Sequence, residues 1–222
     1  MELLDLHKRM LRLFEGNKMK RININTQQTH FIGCWNLENN KLCNEITNFF
    51  ENNKNLQKQG VTASGKNLKT KSRIDITVSP NDLKKPKFEI LKQYVNGLHK
   101  CFLDYQNQWP FLKSMLKDID IGAFNIGEYS PGDHFAVLHS ERTKLNSLHR
   151  LFAWMTYLND VEDGGQTNFS HYGIKIKPEI GKTLIWPAEW THAHTGEVLK
   201  SGTKYIITGW MYFPAPDFKL EK

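Results

Sequence analysis

The feature that most constrains the fold of this 222-residue chain is a change of hydrophobic period near Ile119. Before it, apolar residues recur every three or four positions. After it they alternate, in short runs broken by turn residues: Ala123–Tyr129, His134–His139, Leu151–Leu158, Gly173–Lys177, Thr183–Pro187 and Tyr205–Tyr212. Pro131-Gly132, Asp163-Gly164-Gly165, Pro178–Gly181 and Ser201-Gly202 punctuate them. Many short strands at this density predict a β-sandwich or jelly roll. The first half predicts a helix over Met1–Gly16, a strand at His30–Trp35, an amphipathic helix over Asn39–Gln59 stopped by Gly60, and a loop over Val61–Lys71. Beyond these it predicts a strand at Arg73–Val78 and a long helix over Pro86–Leu112, with Pro110 opposing its simple continuation. Helices first and strands later define one α+β unit, a mainly helical part with a few strands over 1–118 and a β-rich core over 119–222, with the helices buttressing the sheet.

Bulk properties remove several function classes. Hydrophobic content of 39% and aromatic content of 12% suit a globular core. No apolar run approaches a membrane span, and the N-terminal residues lack a leader's apolar stretch and cleavage site. Three cysteines, Cys34, Cys43 and Cys101, form no CxxC pair and fit reduced thiols, so a cytoplasmic location is expected. The net charge of +7 would suit phosphate or acidic partners. Its lysines are scattered through 54–100 without a compact basic block, so a nucleic-acid partner is not expected. Oligomeric state and substrate are not legible.

The chemistry sits late in the chain. His139-Ser140-Glu141 sets an imidazole and a carboxylate two residues apart, on one face if the backbone is extended. More than fifty residues later come His192 and His194, again two apart, then Lys204 in Gly202-Thr203-Lys204. Two imidazoles and one carboxylate on one face of a metal leave positions open for a cosubstrate and O2, as in non-haem Fe(II) oxygenases. A lysine at that distance suits the far carboxylate of a 2-oxoacid. No cysteine follows Cys101, which excludes the nucleobase-deaminase zinc signature, and an HExxH helix is absent.

An ordered series of motifs then resembles a known family. Tyr129-Ser-Pro-Gly132, His139-x-Glu141, Arg150 leading into Tyr157-Leu-Asn-Asp160, Gly164-Gly165-x-Thr167-x-Phe169, Lys177-Pro178-x-x-Gly181, Trp186-Pro-Ala188, His194-x-Gly196, Gly202-x-Lys204 and Trp210 are similar to the core of 2-oxoglutarate/Fe(II)-dependent oxygenases of the prolyl 4-hydroxylase-like group. The resemblance implies a double-stranded β-helix (jelly roll) with N-terminal helices packed on its major sheet. It implies Fe(II) held by His139, Glu141 and His194, with His192 as the alternative third ligand, because the family's distal histidine precedes its cosubstrate-binding basic residue by about ten positions. It further implies 2-oxoglutarate bound by Lys204, with Tyr129 contacting the same molecule, and ascorbate as an accessory. The implied activity is hydroxylation of an unactivated C–H by O2, foremost on a peptidyl residue such as proline. A free amino acid or other small molecule is the alternative, and a non-catalytic jelly-roll binding module a further one.

Two departures stand out: Glu141 replaces an aspartate common in prolyl hydroxylases, and the stretch from Gly132 to His139 is one residue longer, which predicts a bulge. The glycine pair at 164 and 165 is expected to shape a turn, and Trp186, Trp190 and Trp210 to serve the core, with Trp190 and Trp210 able to wall a pocket. Arg150 is expected on a surface or sheet face. The stretch from Lys71 to Asp75 is expected beside a substrate groove, and the segments Val61–Lys71 and Glu141–Leu148 to order with substrate.

Overall fold

The computed structural model describes residues 19–24, 29–60, 71–116 and 118–214. The helix expected over Met1–Gly16 and nearly all of the loop expected over Val61–Lys71 lie outside these. The elements in chain order are β1 (Lys20–Arg21), β2 (Gly33–Asn36), α1 (Asn40–Glu51), β3 (Lys58–Gln59), β4 (Ile74–Val78), α2 (Glu89–Gln108), α3 (Pro110–Met115) and β5 (Asp120–Ile121). There follow β6 (Phe124–Tyr129), β7 (Phe135–His139), β8 (Arg150–Tyr157), β9 (Thr167–Phe169), β10 (Ile174–Ile176), β11 (Lys182–Pro187), β12 (His194–Gly196) and β13 (Lys204–Tyr212).

All strand pairing is antiparallel and falls into two sheets. The larger runs β1-β2-β11-β8-β13-β6-β4-β3, with β5 pairing β13; the smaller runs β10-β9-β12-β7. Strands from the first half thus extend both ends of the large sheet, β1 and β2 beside β11, β4 and β3 beside β6. The two faces of that sheet bury different things. One takes the helices: Leu42, Ile46 and Phe50 of α1 and Leu91, Tyr94, Leu98 and Phe102 of α2 share a core with Trp154, Ile126 and Ile207. The other takes the small sheet, where Phe169, Ile174 and Ile176 meet Met155, Tyr157, Leu184 and Ile206. Such burial contributes roughly 1.5–3 kcal/mol for each large apolar side chain.

A polar chain threads the helix side. Tyr94 on α2 meets Thr156 Oγ1 at 2.7 Å, Thr156 meets Thr183 Oγ1 at 2.7 Å, and Thr183 donates to the Gly181 carbonyl at 3.2 Å. Each buried hydroxyl is satisfied, so α2 is held in register at little desolvation cost.

The helices are shorter than the periodicity predicts. The segment Asn39–Gln59 is helical only to Glu51. Asn39 caps it by accepting from Leu42 N–H, and the Asn53 side chain donates to the Phe49 carbonyl at 2.7 Å. Asparagines compete for backbone groups and favour helix ends. A single 3-10 turn and β3 take up the rest. The segment Pro86–Leu112 breaks at Trp109, whose extended backbone (φ −124°, ψ 86°) is what a following proline demands. Pro110 then opens α3. Strands β9 and β12, three residues each, are too short to show a period and were not expected.

Candidate metal centre

Strand β7 is an edge of the small sheet and carries His139 at its end; Glu141 follows in a bend. His194 opens β12 directly opposite, with His139 and His194 as register partners. Four residue steps from Phe135 to His139 stand against two from His194 to Gly196, so β7 bulges here, in the stretch where an extra residue was expected. The pairing brings one donor atom of each of His139, Glu141 and His194 within 4.8 Å of one another. Glu141 Oε1 lies 3.4 Å from His194 Nε2 and 3.8 Å from His139 Nε2. Two bonds of about 2.1 Å to one ion span a similar gap.

The tautomers are set by the backbone. His139 Nδ1 donates to the Val137 carbonyl at 2.8 Å and His194 Nδ1 to the His192 carbonyl at 3.0 Å. Each ring therefore turns an Nε2 lone pair towards Glu141, the arrangement a metal requires. Phe135 stacks on His139 at 3.7 Å between centroids and fixes its plane. Burial, then the neighbouring His194, pulls the His139 pKa down to about 4. Burial pushes the Glu141 carboxyl up, but His194, His139 and the indole N–H of Trp210 outweigh it and bring it to about 2. Neutral imidazole and ionised carboxylate are the forms that bind a cation.

His192 faces elsewhere. The alternation that would align it with His194 fails, because Trp190–His192 is a 3-10 turn and the strand begins only at His194. His192 Nε2 donates to the His30 carbonyl at 2.8 Å. Trp190 is 69% exposed, so it fills no core. Trp210 and Arg150 both reach Glu141. The Trp210 indole N–H donates to Glu141 Oε2 at 2.6 Å, and Arg150 Nη1 donates to the Glu141 carbonyl at 2.9 Å. Arg150 opens β8, in line with the sheet-face expectation, and is partly buried beside Glu141. Nothing in the sequence marks this role, because it depends on the register of β8 against β13, which shifts between Met211 and Tyr212.

A second, cationic cluster lies between the sheets. Lys204 and Tyr129 are register partners on β13 and β6. The Lys204 ammonium sits 4.0 Å over the Tyr129 ring and donates to the Gly165 carbonyl at 2.9 Å. Gly164 and Gly165 take positive φ, +80° and +68°, as the turn expected there requires. A Cβ on Gly165 would stand 3.1 Å from Lys204 Cδ, so the bare backbone also makes room for the lysine. Burial, reinforced by the Arg73 charge, lowers the Lys204 pKa to about 7. Arg73 Nη1 donates to the Tyr129 hydroxyl at 2.9 Å, and Arg73 and Lys71 pair with Asp75 at 2.6 and 2.9 Å. All three side chains are buried. Arginine has no acceptor, so the phenol must accept from it and keeps its own hydrogen for another oxygen.

The donor set fits a divalent ion of the iron type: two imidazoles and one carboxylate, with no thiolate near. The three cysteines are buried, and burial raises their thiols to about 12, 11 and 12 for Cys34, Cys43 and Cys101. A His-Glu-His triad on a small antiparallel sheet, with a buried lysine on the large one, is a donor set of the kind that could hold Fe(II) and the carboxylates of a 2-oxoacid. Residues 124–212 match the family described as the 2OG-Fe(II) oxygenase superfamily, and the chain is similar to prolyl 4-hydroxylases. The human prolyl 4-hydroxylase subunit alpha-1 is 21% identical over 118 residues, covering 48% of this chain. The chain spans about a fifth of that relative's length, 22%. A Pseudomonas putida prolyl-4-hydroxylase superimposes with a TM-score of 0.60 at 16% identity, covering 93% of this chain and 98% of the other. A Trichoplax adhaerens prolyl hydroxylase, solved with a hypoxia inducible factor peptide fragment, gives 0.63 at 13% identity, covering 96% and 93%.

Proposed function

We propose that the chain is a jelly-roll dioxygenase that hydroxylates a peptidyl residue, foremost proline, with His139, Glu141 and His194 holding Fe(II). The observation that carries this is the His139–Glu141–His194 cluster, accompanied by a buried lysine on the facing sheet. When bound, Fe(II) with 2-oxoglutarate supplies O2 activation and C–H oxidation, with succinate and CO2 as co-products. The protein's own part is orientation and exclusion of water. Lys204 receives the distal carboxylate, since a buried ammonium whose described partners are the Gly165 carbonyl and the Tyr129 ring gains strongly from an anion. Tyr129 presents its hydroxyl hydrogen to the same cosubstrate, held from behind by Arg73. Phe135 and Trp210 wall the ligands, and Gly165 keeps the lysine's path clear.

The rim supports a polypeptide substrate. Leu138, Leu145, Leu148 and Trp190 are 53%, 85%, 52% and 69% exposed. They lie in the two segments flanking the triad, which Arg142 joins by pairing with Glu189 and donating to the Leu148 carbonyl. An open apolar rim suits an extended chain better than a small polar molecule. The peptide complex of the Trichoplax neighbour supports the same reading by analogy.

The test begins under anaerobic conditions with Fe(II) and 2-oxoglutarate. A weak visible charge-transfer band is expected in the wild type, absent in His139→Ala and needing far more cosubstrate in Lys204→Ala. Succinate release is then compared with proline-containing peptides and with free proline. No band and no retained iron would overturn the oxygenase reading. Turnover of free proline alone would overturn the peptide assignment.

A further inference from the structure

The two carboxylate oxygens of Glu141 have unlike surroundings. Oε1 faces both histidines, while Oε2 takes the Trp210 indole N–H at 2.6 Å. The Arg150 guanidinium lies 3.8 Å over the Trp210 ring, donates to the Glu141 carbonyl at 2.9 Å and stands 3.9 Å from Oε2. One stacked pair, from β13 and β8, therefore grips the side chain and the main chain of the same residue.

Glutamate needs such a grip more than the aspartate common at this position. It has one more rotatable bond, so more rotamer freedom must be given up to place its carboxylate. Its longer reach also lets both oxygens approach one ion. Engaging Oε2 with the indole N–H disfavours that second approach.

We propose that Trp210 is a positioning residue for Glu141: its indole N–H engages Oε2 and leaves Oε1 as the one oxygen turned to the metal, with Arg150 clamping the indole in place. The inference rests on the metal-centre reading above. It adds that the glutamate works here because β13 supplies a donor at that point. Ligation through one oxygen keeps coordination positions free for cosubstrate and O2. A role in packing alone would need the indole's shape but not its N–H.

Co(II) is the probe, read by its visible absorption and by calorimetric titration, without turnover. Trp210→Phe keeps an aromatic ring and deletes the donor. Its Co(II) affinity is expected to fall roughly 10–100-fold, the usual effect of removing a ligand's supporting hydrogen bond. The visible bands should shift as a second oxygen enters, while the metal-free melting temperature stays close to wild type. Glu141→Asp withdraws the carboxylate from the indole, so adding Trp210→Phe to it should cost much less than in the wild type. If Phe at 210 disturbs folding, benzothienylalanine at that position replaces N–H by sulfur at nearly constant shape. Wild-type affinity and bands in the donor-less protein would overturn the inference and leave the metal centre standing. No Co(II) binding by the wild type would overturn the metal centre, and the inference with it.

Discussion

Lys204 and Arg73 stand close together around one tyrosine ring, and their charges make opposite demands. Arg73 is paired with Asp75, while among the described residues Lys204 meets the Gly165 carbonyl and the Tyr129 ring and forms no ion pair. With its folded pKa near 7 against an ordinary 10.5, Lys204 sheds its proton on folding between those values. The unfolded chain then binds more protons, so this group's contribution to stability rises with pH from about 7 to 10.5. A carboxylate arriving beside it reverses the shift. Binding of 2-oxoglutarate at pH 8 is therefore expected to take up a fraction of a proton, seen as a dependence of the titration enthalpy on the buffer's ionisation enthalpy. Lys204→Met should abolish that uptake; an unchanged uptake would remove Lys204 from the site. Arg73 is structural as well as electrostatic. Arg73→Met leaves Asp75 with half its counter-charge and Tyr129 without its donor, and is expected to cost about 3 kcal/mol in urea unfolding. A loss below about 1 kcal/mol would show that Lys71 alone suffices. The imidazole–carboxylate pair and Lys204 stood out in the sequence through their spacing taken together with the family resemblance. Arg73, Arg150 and Trp210 gave no such signal, because their roles depend on which strand lies beside which.

Elements show the same division. Long periodic segments such as α2 and the strands β6, β8 and β13 were legible, since burial on one or both faces imprints a period. Elements set by local competition were not. The asparagines that end α1 early and the 3-10 turn that swings His192 away leave no periodic trace. That turn decides which histidine of the pair joins the triad, and two-residue spacing alone left the choice open. The turn at Gly164-Gly165 was legible as glycine but not in what it serves. A Cβ on Gly164 would stand 2.2 Å from the Val198 carbonyl oxygen, at a φ of +80° that side chains avoid. Gly164→Ala is expected to destabilise by about 2 kcal/mol or more, since neither backbone nor carbonyl can yield cheaply. Because Gly165 accepts from Lys204, the same variant should also weaken 2-oxoglutarate binding. A melting temperature and an affinity both at wild-type values would show that the turn relaxes without consequence.

At the scale of the molecule, the large sheet is a floor with helices beneath and the small sheet above. The metal triad belongs to the small sheet and Lys204 to the large one. A ligand held by both ties them together. Divalent metal at about 100 times its Kd is expected to stabilise by about 2.7 kcal/mol, a rise of roughly 5–10 °C in Tm for a domain of this size. His139→Ala should erase the shift, which differential scanning calorimetry would read. An equal shift in that variant would place the stabilising ion elsewhere. Fold class and helix-on-sheet layering were readable from the change of period. The extension of the large sheet by β1 to β4 was not, because strands of two to five residues from the first half join at its ends.

The order of the chain has a consequence for how iron is met during synthesis. His139 and Glu141 emerge first, and His194, Lys204 and Trp210 follow only more than fifty residues later, on β12 and β13. A chain still being made, halted anywhere before β13, has at most loose ligands and neither the lysine nor the indole. The proposed centre is thus organised only once β13 is in place, and a copy halted before it has no assembled site at which a bound metal and oxygen could damage it.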